Sequence, residues 1–538
     1  MKPSAVSAAA PPGIVAIPIR LVESSAARWL ALVCVGQVLL WSVAFGLTYR
    51  APEIDSAEQF VWAFSLESGY WKHPPLPSWI MHALLQVFGP SVVLPFVATQ
   101  CCAVLAMVLV WRLGCAWMSP SRALVAVALT SLISYHSVGA DNFNHSTALL
   151  PFQAATLLAF HRAMRRSSLA LWMLSGLLAG LSVLVKYVAL LPVLGLVVYF
   201  ACDRALHTRR QLVGLAIAVA TFTVVLVPHV VWLGSTNYLP FHYARSVAQA
   251  MPGLGATFEQ LGDFLGIQLV RALPFLGAAL YLTWPRRAQS VVSAPGGWGP
   301  RPAPDARGGN DRLFLWIVGL APLLGTVAIA LLTQTALQSR WGSNAFLLAG
   351  LMLMTKLRQP ESGLMVRRAL HAAAVVQVVL CLGMTLSKTV VAERLGVATR
   401  ANFPGDVLAD KAHAAWRAHA GDAPLRIVIS DIWLGGNIVA NSTERVAVLI
   451  DGHRFKAPWV KAGAVKACGA LVLDDLTEDG GAHAVPNPTL ESFLERADVT
   501  GEWSLPWSRP ELHESDGDRG RIRWGVILPT PGASCDLR

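Results

Sequence analysis

Long apolar segments recur along most of the chain and stop near residue 390. Most approach the roughly 20 apolar residues that a helix needs to cross a hydrocarbon core about 30 Å thick. We predict eleven transmembrane helices, at about 29–48, 92–111, 122–138, 147–163, 169–185, 187–201, 212–233, 262–284, 313–333, 341–357 and 368–387. The boundary between the fifth and the sixth is the least distinct.

The composition supports this pattern. The chain is 54% hydrophobic and only 14% charged, whereas a soluble protein carries about 25% charged residues. The predicted fold class is therefore a mainly α polytopic membrane protein. In a soluble protein, the net charge of +11 would suggest a nucleic-acid partner. In a membrane protein, Lys and Arg collect in cytoplasmic loops, so we expect membrane lipids and no nucleic acid.

The basic residues are distributed unevenly between the two sets of connections. With the N-terminus in the cytoplasm, the inner connections hold most of the arginines. The outer connections hold few cations, namely Arg50, Lys72, Lys186, Arg245 and Arg340. By the positive-inside rule, residues 1–28 are a cytoplasmic tail, 49–91 form the first outer loop, and the Gly/Pro-rich stretch 286–312 is a cytoplasmic linker. An odd number of spans puts the C-terminal region outside.

From about residue 391 the composition becomes that of a soluble domain. Segments rich in Val, Ile and Leu predict buried strands at 425–431, 445–451, 469–475 and 521–528, with helices near 404–419 and 432–441. We therefore predict a small periplasmic α/β domain over 391–538. Cys468 and Cys535 lie in this region, and the sequence is compatible either with a disulfide or with two unpaired buried thiols.

Acidic residues in the loop 49–91 accompany an amphipathic stretch, 56–66. Its aromatic residues have helical spacing and are Phe60, Trp62 and Phe64. Aromatic-rich helices of this kind lie in the headgroup region of a membrane. Asp55 comes directly before the stretch, where a carboxylate caps a helix. From spacing alone, Asp55 is either such a cap or a catalytic group, and Glu58 lies one helical turn further on the same face.

Several motifs follow one another along the chain. They are "AEQFVWA" (57–63), "GYWKHPPLPSW" (69–79), "DNFNHSTALLPFQAATLLAFHRA" (141–163), "SGLLAGLSVLVKYVALLPVL" (175–194), "SRWGSNAFLLAGL" (339–351) and "IVISDIWLGGNIVA" (427–440). Together they resemble bacterial glycosyltransferase family 39, which is similar to protein O-mannosyltransferases and lipid A aminoarabinose transferases of the GT-C fold. The resemblance covers most of residues 29–480. It implies inverting transfer of a sugar from a polyprenyl phosphate donor to an acceptor hydroxyl.

The resemblance also implies roles for individual residues. Asp55 becomes the general base that accepts the proton of the acceptor hydroxyl, and Glu58 orients the acceptor or Asp55. The departing lipid phosphate needs fixed cations. The outer-face candidates are Lys72, His73, Lys186, Arg245 and Arg340, with His242 on the same helical face as Arg245. Anchoring at the membrane interface remains an alternative role for Lys186 and Arg340.

A second polar set lies on another outer loop and consists of Asp141, Asn142, Asn144 and His145. It either closes the site from the opposite side or caps the fourth span through Asn144. The aminoarabinose branch of the family has an acid–lysine pair before its two prolines, where this chain has Lys72 and His73. A metal site built as in that branch therefore lacks its acid, although His73 leaves a divalent metal ion open as a cofactor. Pro74 and Pro75 end any helix here.

Two classes of function suit such a chain. A transporter or flippase places its ionisable residues near the bilayer midplane and in repeated halves, whereas here they gather at one face and no repeat is visible. We therefore expect a lipid-linked sugar transferase in the bacterial inner membrane, with its active site in the periplasm. A non-catalytic family member is a further alternative. The sequence leaves open the sugar and the acceptor, which is lipopolysaccharide, another envelope lipid or a protein.

Overall fold

The computed structural model describes residues 19–284, 310–357, 362–395, 397–477, 487–507 and 519–537. The helices before the sheet are α1 (Ile19–Thr48), α2 (Ile54–Trp62), α3 (Leu76–Phe88), α4 (Leu94–Gly114), α5 (Pro120–Thr130), α6 (His145–Arg166), α7 (Leu169–Val185), α8 (Leu190–Cys202), α9 (Arg209–Ser235), α10 (Leu239–Val247), α11 (Leu254–Thr283), α12 (Asp311–Thr333), α13 (Ala349–Lys356), α14 (Gly363–Leu386) and α15 (Ala392–Arg394). Helix α1 thus begins inside the predicted tail. Residues 1–18, and most of the predicted linker 286–312, lie outside the described residues.

Among the described residues, six helices are long and apolar enough to cross a membrane. They span Ser25–Thr48, Leu94–Gly114, Arg209–Ser235, Leu254–Thr283, Asp311–Thr333 and Gly363–Arg394. Each encloses one of the eleven predicted spans, to within two residues at either end. The other five predicted spans fall on α5, α6, α7, α8 and α13. The eleven residues of α5 rise only about 17 Å, so the count of eleven crossings stays a prediction.

The membrane helices pack around a large apolar core. Helix α6 packs between α4 and α7, α7 lies along α9, and α8 lies along α12. The core contains large side chains that are fully buried, among them Trp111, Trp172, Tyr199 and Phe314. This scaffold fixes the ends of α6 and α7, from which several of the candidate site residues project.

The region after residue 397 folds around one mixed sheet. Its helices are α16 (Gly405–Ala420), α17 (Ile432–Asn441), α18 (Ala464–Cys468) and α19 (Pro488–Leu494). Its strands are β1 (Ile427–Ser430), β2 (Ala447–Ile450), β3 (Ala470–Asp475), β4 (Val499–Pro506) and β5 (Arg519–Ile527). The strand order is β2-β1-β3-β5-β4, with β1 parallel to β2 and β3, and β5 antiparallel to β3 and β4. Cys468 and Cys535 are joined in a disulfide.

Helix α2 is enclosed between this sheet domain and the membrane helices. Every residue from Ser56 to Trp62 is buried. Ala57, Val61 and Trp62 pack into the two cores of the sheet domain. Phe60 and Ala63 pack into a third cluster, which joins Leu149, Val183 and Val185 of the membrane helices to Phe143 and to Ala440 of α17. The prediction that this stretch lies among lipid headgroups is therefore wrong, because its aromatic side chains are buried in protein.

Candidate functional site

Asp55 lies in the first turn of α2, where three side chains donate to its carboxylate. The N-cap of the helix is Glu53, which makes no side-chain capping bond. Oδ2 of Asp55 accepts hydrogen bonds from Asn142 at 3.3 Å and from Asn144 at 3.1 Å, and it lies 3.4 Å from Nη1 of Arg340. The capping role that the sequence allowed for Asp55 is thus excluded. Its contacts within the described chain all go to Oδ2, which leaves Oδ1 available to accept a proton.

The loop 141–144 fixes the two asparagines that hold Asp55. Ser56 donates to Oδ1 of Asn142 at 2.7 Å and accepts from the backbone N–H of Phe143 at 2.9 Å. Oδ1 of Asn144 accepts from the first backbone N–H groups of α6, those of Ser146 and Thr147, in a capping box. Asn144 therefore fills both roles that the sequence offered as alternatives. It caps the helix and also reaches Asp55.

Glu58 and Lys72 form a buried ion pair one turn along α2 from Asp55. Nζ of Lys72 donates to Oε1 of Glu58 at 2.7 Å and lies 5.2 Å from the ring centroid of Tyr243. Burial raises the pKa of Glu58, and the Lys72 ammonium only partly opposes that shift. Burial acts to lower the pKa of Lys72, but Glu58 and Tyr243 outweigh it and raise that pKa. The ammonium of Lys72 thus compensates the charge of the buried Glu58 carboxylate.

His73 lies beside His145, and neither side chain is a fixed cation. The two ring centroids are 4.2 Å apart, each ring lies 6.1 Å from that of Trp62, and the His73 ring also lies 6.4 Å from that of Tyr243. Burial, together with His145 and Lys186, holds the pKa of His73 well below its usual value. His73 is therefore neutral near pH 7, so it offers a hydrogen bond to a ligand and no charge. The sequence had grouped it with the cations.

Lys186 lies at the break between α7 and α8, where it caps the end of α7. Its Nζ donates to Oγ of Ser146 at 2.6 Å. Within the described residues it has no ion pair with a carboxylate. A half-buried ammonium that has three donors and one hydrogen bond is suited to receive an anion. The side chain of Arg340 is 59% exposed, so its weak pair with Asp55 leaves it free to turn toward a ligand.

Asp141 does not contact Asp55 and belongs to a neighbouring cluster. Its Oδ2 accepts from the hydroxyl of Tyr49 at 2.7 Å and lies 3.8 Å from Nζ of Lys388. Lys388 also lies 3.5 Å from Glu53, the N-cap residue of α2. The sequence analysis does not single out Lys388, because it comes directly after the last predicted span, where a cation is an ordinary membrane anchor.

On α10, Tyr243 contacts the site residue Lys72, whereas the expected residues His242 and Arg245 do not. His242 and Arg245 are exposed, and no hydrogen bond or ion pair joins either to the Asp55 cluster in the described chain. Tyr243, between them, faces Lys72 and lies 5.0 Å from the ring of Trp71. The sequence gives no signal for Tyr243, because a single tyrosine on an exposed helix is ordinary.

Arg271 was also missed, although the sequence contains a signal. It is a cation inside an otherwise apolar span, which is costly unless it serves a function or has partners. Its guanidinium lies 4.7 Å from the ring of Tyr135, and its buried Nε has no hydrogen-bond partner. The hydroxyl of Tyr135 reaches Gln268 at 2.8 Å and also contacts the carbonyl of Ser339, next to Arg340. Arg271 is therefore linked through Tyr135 to the segment that carries Arg340.

A metal site finds no support in this arrangement. No group of three or more His, Cys, Asp or Glu side chains in the described ranges is arranged to hold a metal ion. His73 and His145 are two imidazoles without a carboxylate, since Glu58 is paired with Lys72. The donor set thus does not fit a divalent cation, and no step is assigned to one.

We predict that Lys72→Met destabilises the folded protein by about 3–5 kcal/mol near neutral pH, because it leaves Glu58 buried without a partner. A carboxyl whose pKa is raised on folding is stabilised by protonation. The loss relative to wild type should therefore shrink as the pH falls through the raised pKa of Glu58. Thermal unfolding in detergent at about pH 8 and about pH 5 measures this. Lys461→Met, at an exposed lysine, is the control, and a loss that does not change with pH would contradict the prediction.

Comparisons with known proteins agree with the resemblance. Residues 72–232 match the family described as dolichyl-phosphate-mannose-protein mannosyltransferase. The chain is 27% identical over 492 residues to the lipopolysaccharide core galacturonosyltransferase RgtA of Rhizobium johnstonii, covering 89% of this chain and 93% of that protein. It is 26% identical over 258 residues to the lipid A galacturonosyltransferase RgtD of the same organism, covering 46% of this chain and 50% of RgtD.

Solved structures show the same fold. ArnT from Cupriavidus metallidurans bound to undecaprenyl phosphate superposes with a TM-score of 0.54 at 14% identity, covering 92% of this chain and 98% of ArnT. The apo form of that protein gives a TM-score of 0.55 at 15% identity, covering 93% and 98%. The resemblance to GT-C membrane glycosyltransferases is thereby confirmed: residues 72–232 match the mannosyltransferase family, most of the chain is similar to RgtA, and its fold is that of ArnT.

Proposed function

We propose that the protein transfers a sugar from a polyprenyl phosphate donor to lipopolysaccharide at the periplasmic face of the inner membrane. The observation that supports this most directly is the position of Asp55. Its carboxylate lies at the start of a buried helix, held through one oxygen by Asn142 and Asn144. Two cations without strong partners, Lys186 and Arg340, flank it. The acceptor hydroxyl requires a base that removes its proton, and the departing phosphate requires cations that stabilise its charge. This site offers both.

The reaction follows from these groups. Oδ1 of Asp55 takes the proton of the acceptor hydroxyl as its oxygen bonds to the anomeric carbon. The bond from that carbon to the phosphate oxygen breaks on the opposite face, so the configuration inverts. The electron pair leaves with the lipid phosphate, which gains negative charge. Lys186 and Arg340 stabilise that charge in the transition state, and neutral His73 can donate a hydrogen bond to the sugar or the phosphate.

The relatives favour a particular pair of substrates. RgtA is named a lipopolysaccharide core galacturonosyltransferase and RgtD a lipid A galacturonosyltransferase. The ArnT structure holds undecaprenyl phosphate. We infer a lipopolysaccharide acceptor and a galacturonic acid donor on a polyprenyl phosphate for this chain as well. The acceptor group that reacts is a hydroxyl, since that is the proton Asp55 is positioned to remove.

The orientation rests on two supports. Arginines collect in the connections predicted to face the cytoplasm, while Asp55 lies on the opposite side. The sheet domain carries the disulfide between Cys468 and Cys535, and disulfides persist in oxidising compartments such as the periplasm.

Replacing Asp55 with Asn tests the proposed base. The change keeps the shape and a hydrogen-bonding group but removes the proton acceptor, so we expect kcat to fall by about 10²–10⁴-fold. Donor affinity should be unchanged. Turnover of purified enzyme with a polyprenyl phosphate galacturonic acid and lipopolysaccharide measures this. Asp406→Asn, at an exposed outer-face carboxylate, is the control, and near-wild-type turnover of Asp55→Asn would exclude the catalytic role.

The proposed phosphate site predicts a different kinetic effect. Lys186→Ala and Arg340→Ala should weaken binding of a short-chain polyprenyl phosphate and lower kcat, because the same cations meet the phosphate before and during its departure. Arg50→Ala, which loses only an exposed pair with Asp406, is the control. Equilibrium binding to the purified variants measures the first effect. If both cation variants bind the lipid phosphate as tightly as wild type, these side chains are membrane anchors.

The proposed topology can be tested by cysteine labelling. We expect Leu66→Cys and Asp410→Cys, both at exposed positions, to react with an impermeant maleimide in intact spheroplasts. Arg209→Cys, at an exposed position in a predicted cytoplasmic connection, should react only after permeabilisation. The variants are made without the free cysteines and with the disulfide retained. Protection of either outer position in spheroplasts would overturn the orientation.

A further inference from the structure

We propose that the sheet domain is part of the catalytic apparatus, because α17 sets the position of the helix that carries Asp55. This inference rests on the function proposed for Asp55. Gly436 of α17 lies against Ala57, which is between Asp55 and Glu58 on α2. Gly436 acts through that helix and is a positioning residue.

The two helices meet at a contact that only glycine allows. A Cβ atom at position 436 would lie 2.5 Å from Cβ of Ala57 and 2.8 Å from both its Cα and its carbonyl oxygen. Two of those three neighbours are backbone atoms, which cannot rotate away. A methyl group at position 436 must therefore push α2 and α17 apart.

The surroundings of α2 determine where such a push can lead. Phe60, one turn along α2 from Ala57, packs in one cluster with Ala440 of α17 and with Phe143, which lies between the two asparagines that hold Asp55. Ser56, next to Ala57, hydrogen-bonds to Asn142 and to the backbone N–H of Phe143. A displacement of α2 at Ala57 is thus transmitted to the loop 141–144. The hydrogen bonds from Asn142 and Asn144 to Asp55 cannot all survive it.

A second contact ties the sheet domain to the chain just after α2. Nη2 of Arg445 donates to the backbone carbonyl of Phe64 at 2.7 Å, and its guanidinium lies 4.6 Å from the Phe64 ring. Arg445 precedes β2, so this contact links the edge of the sheet to the C-terminal end of α2, the helix that carries Asp55. The sheet domain therefore holds α2 near both ends.

Gly436→Ala tests this role, with Gly435→Ala as a matched control. A Cβ at position 435 would meet Val448 and Ser430, which belong to the sheet domain itself, at 2.5 and 2.9 Å. We expect Gly436→Ala to lower kcat by about 10–100-fold, since a misplacement of about 1 Å costs about that much. Its affinity for a short-chain polyprenyl phosphate should match wild type. Gly435→Ala should lower the unfolding temperature but keep kcat within about twofold.

A double-mutant cycle separates positioning from general damage. If Gly436→Ala acts by moving Asp55, it should have no further effect on single-turnover rate in the Asp55→Asn protein. A full, additive loss in that background would overturn the inference, as would equal losses of kcat in Gly436→Ala and Gly435→Ala. Wild-type turnover of Asp55→Asn would instead refute the proposed function. Should Gly436→Ala fail to insert or fold, Arg445→Gln replaces it in the same cycle, with the same expectations.

Discussion

The burial of α2 between two different packing environments is the constraint on which the rest of the structure depends. A helix of nine residues is too short to be stable alone in water, so its position comes from what encloses it. The sheet domain covers one side and the membrane helices cover the other. Its polar residues are consequently directed at specific partners, Asp55 at the loop 141–144 and Glu58 at Lys72.

Charge compensation explains which side chains are available for chemistry. Glu58 and Lys72 neutralise each other where Glu58 is buried and Lys72 is only partly exposed. Lys388 lies between Glu53 and Asp141, in the cluster that neighbours Asp55. Within the described part of the chain, Asp55, Lys186 and Arg340 are charged groups without a strong opposite partner. A carboxylate and two cations in that condition are suited to a reaction in which a proton is removed and a phosphate departs.

The sequence predicted the parts of the fold that follow from local pattern. The apolar runs at 425–431, 445–451 and 469–475 became the buried strands β1, β2 and β3, because strands of a covered sheet need apolar side chains on both faces. The run at 521–528 became β5, which is exposed at Arg521. Strand β4 was missed, since it alternates between half-buried and exposed positions and contains Gly501. The aromatic stretch 56–66 was assigned to the membrane surface, because periodicity shows that a face is apolar but not whether lipid or protein covers it.

The candidate site was predictable only in part, because a local sequence pattern does not show which distant segments meet in the fold. Asp55 and its neighbours stood out because they are titratable groups in an outer loop. The Glu58–Lys72 pair, the double role of Asn144 and the contact of Tyr243 depend on segments brought together by tertiary packing. No spacing in the sequence encodes them. Resemblance assigned a role to Asp55, but it could not show that Asp141 belongs to a neighbouring cluster.

Mass spectrometry of lipid A and core oligosaccharide, from cells with and without the gene, tests the proposal that this chain adds a sugar to lipopolysaccharide from a lipid-phosphate donor. We predict that deletion removes one hexuronic acid residue from lipopolysaccharide and that the wild-type gene, but not the Asp55→Asn gene, restores it. Lipopolysaccharide of unchanged mass in the deletion strain, with the protein shown to be produced in the parent, would refute the proposal.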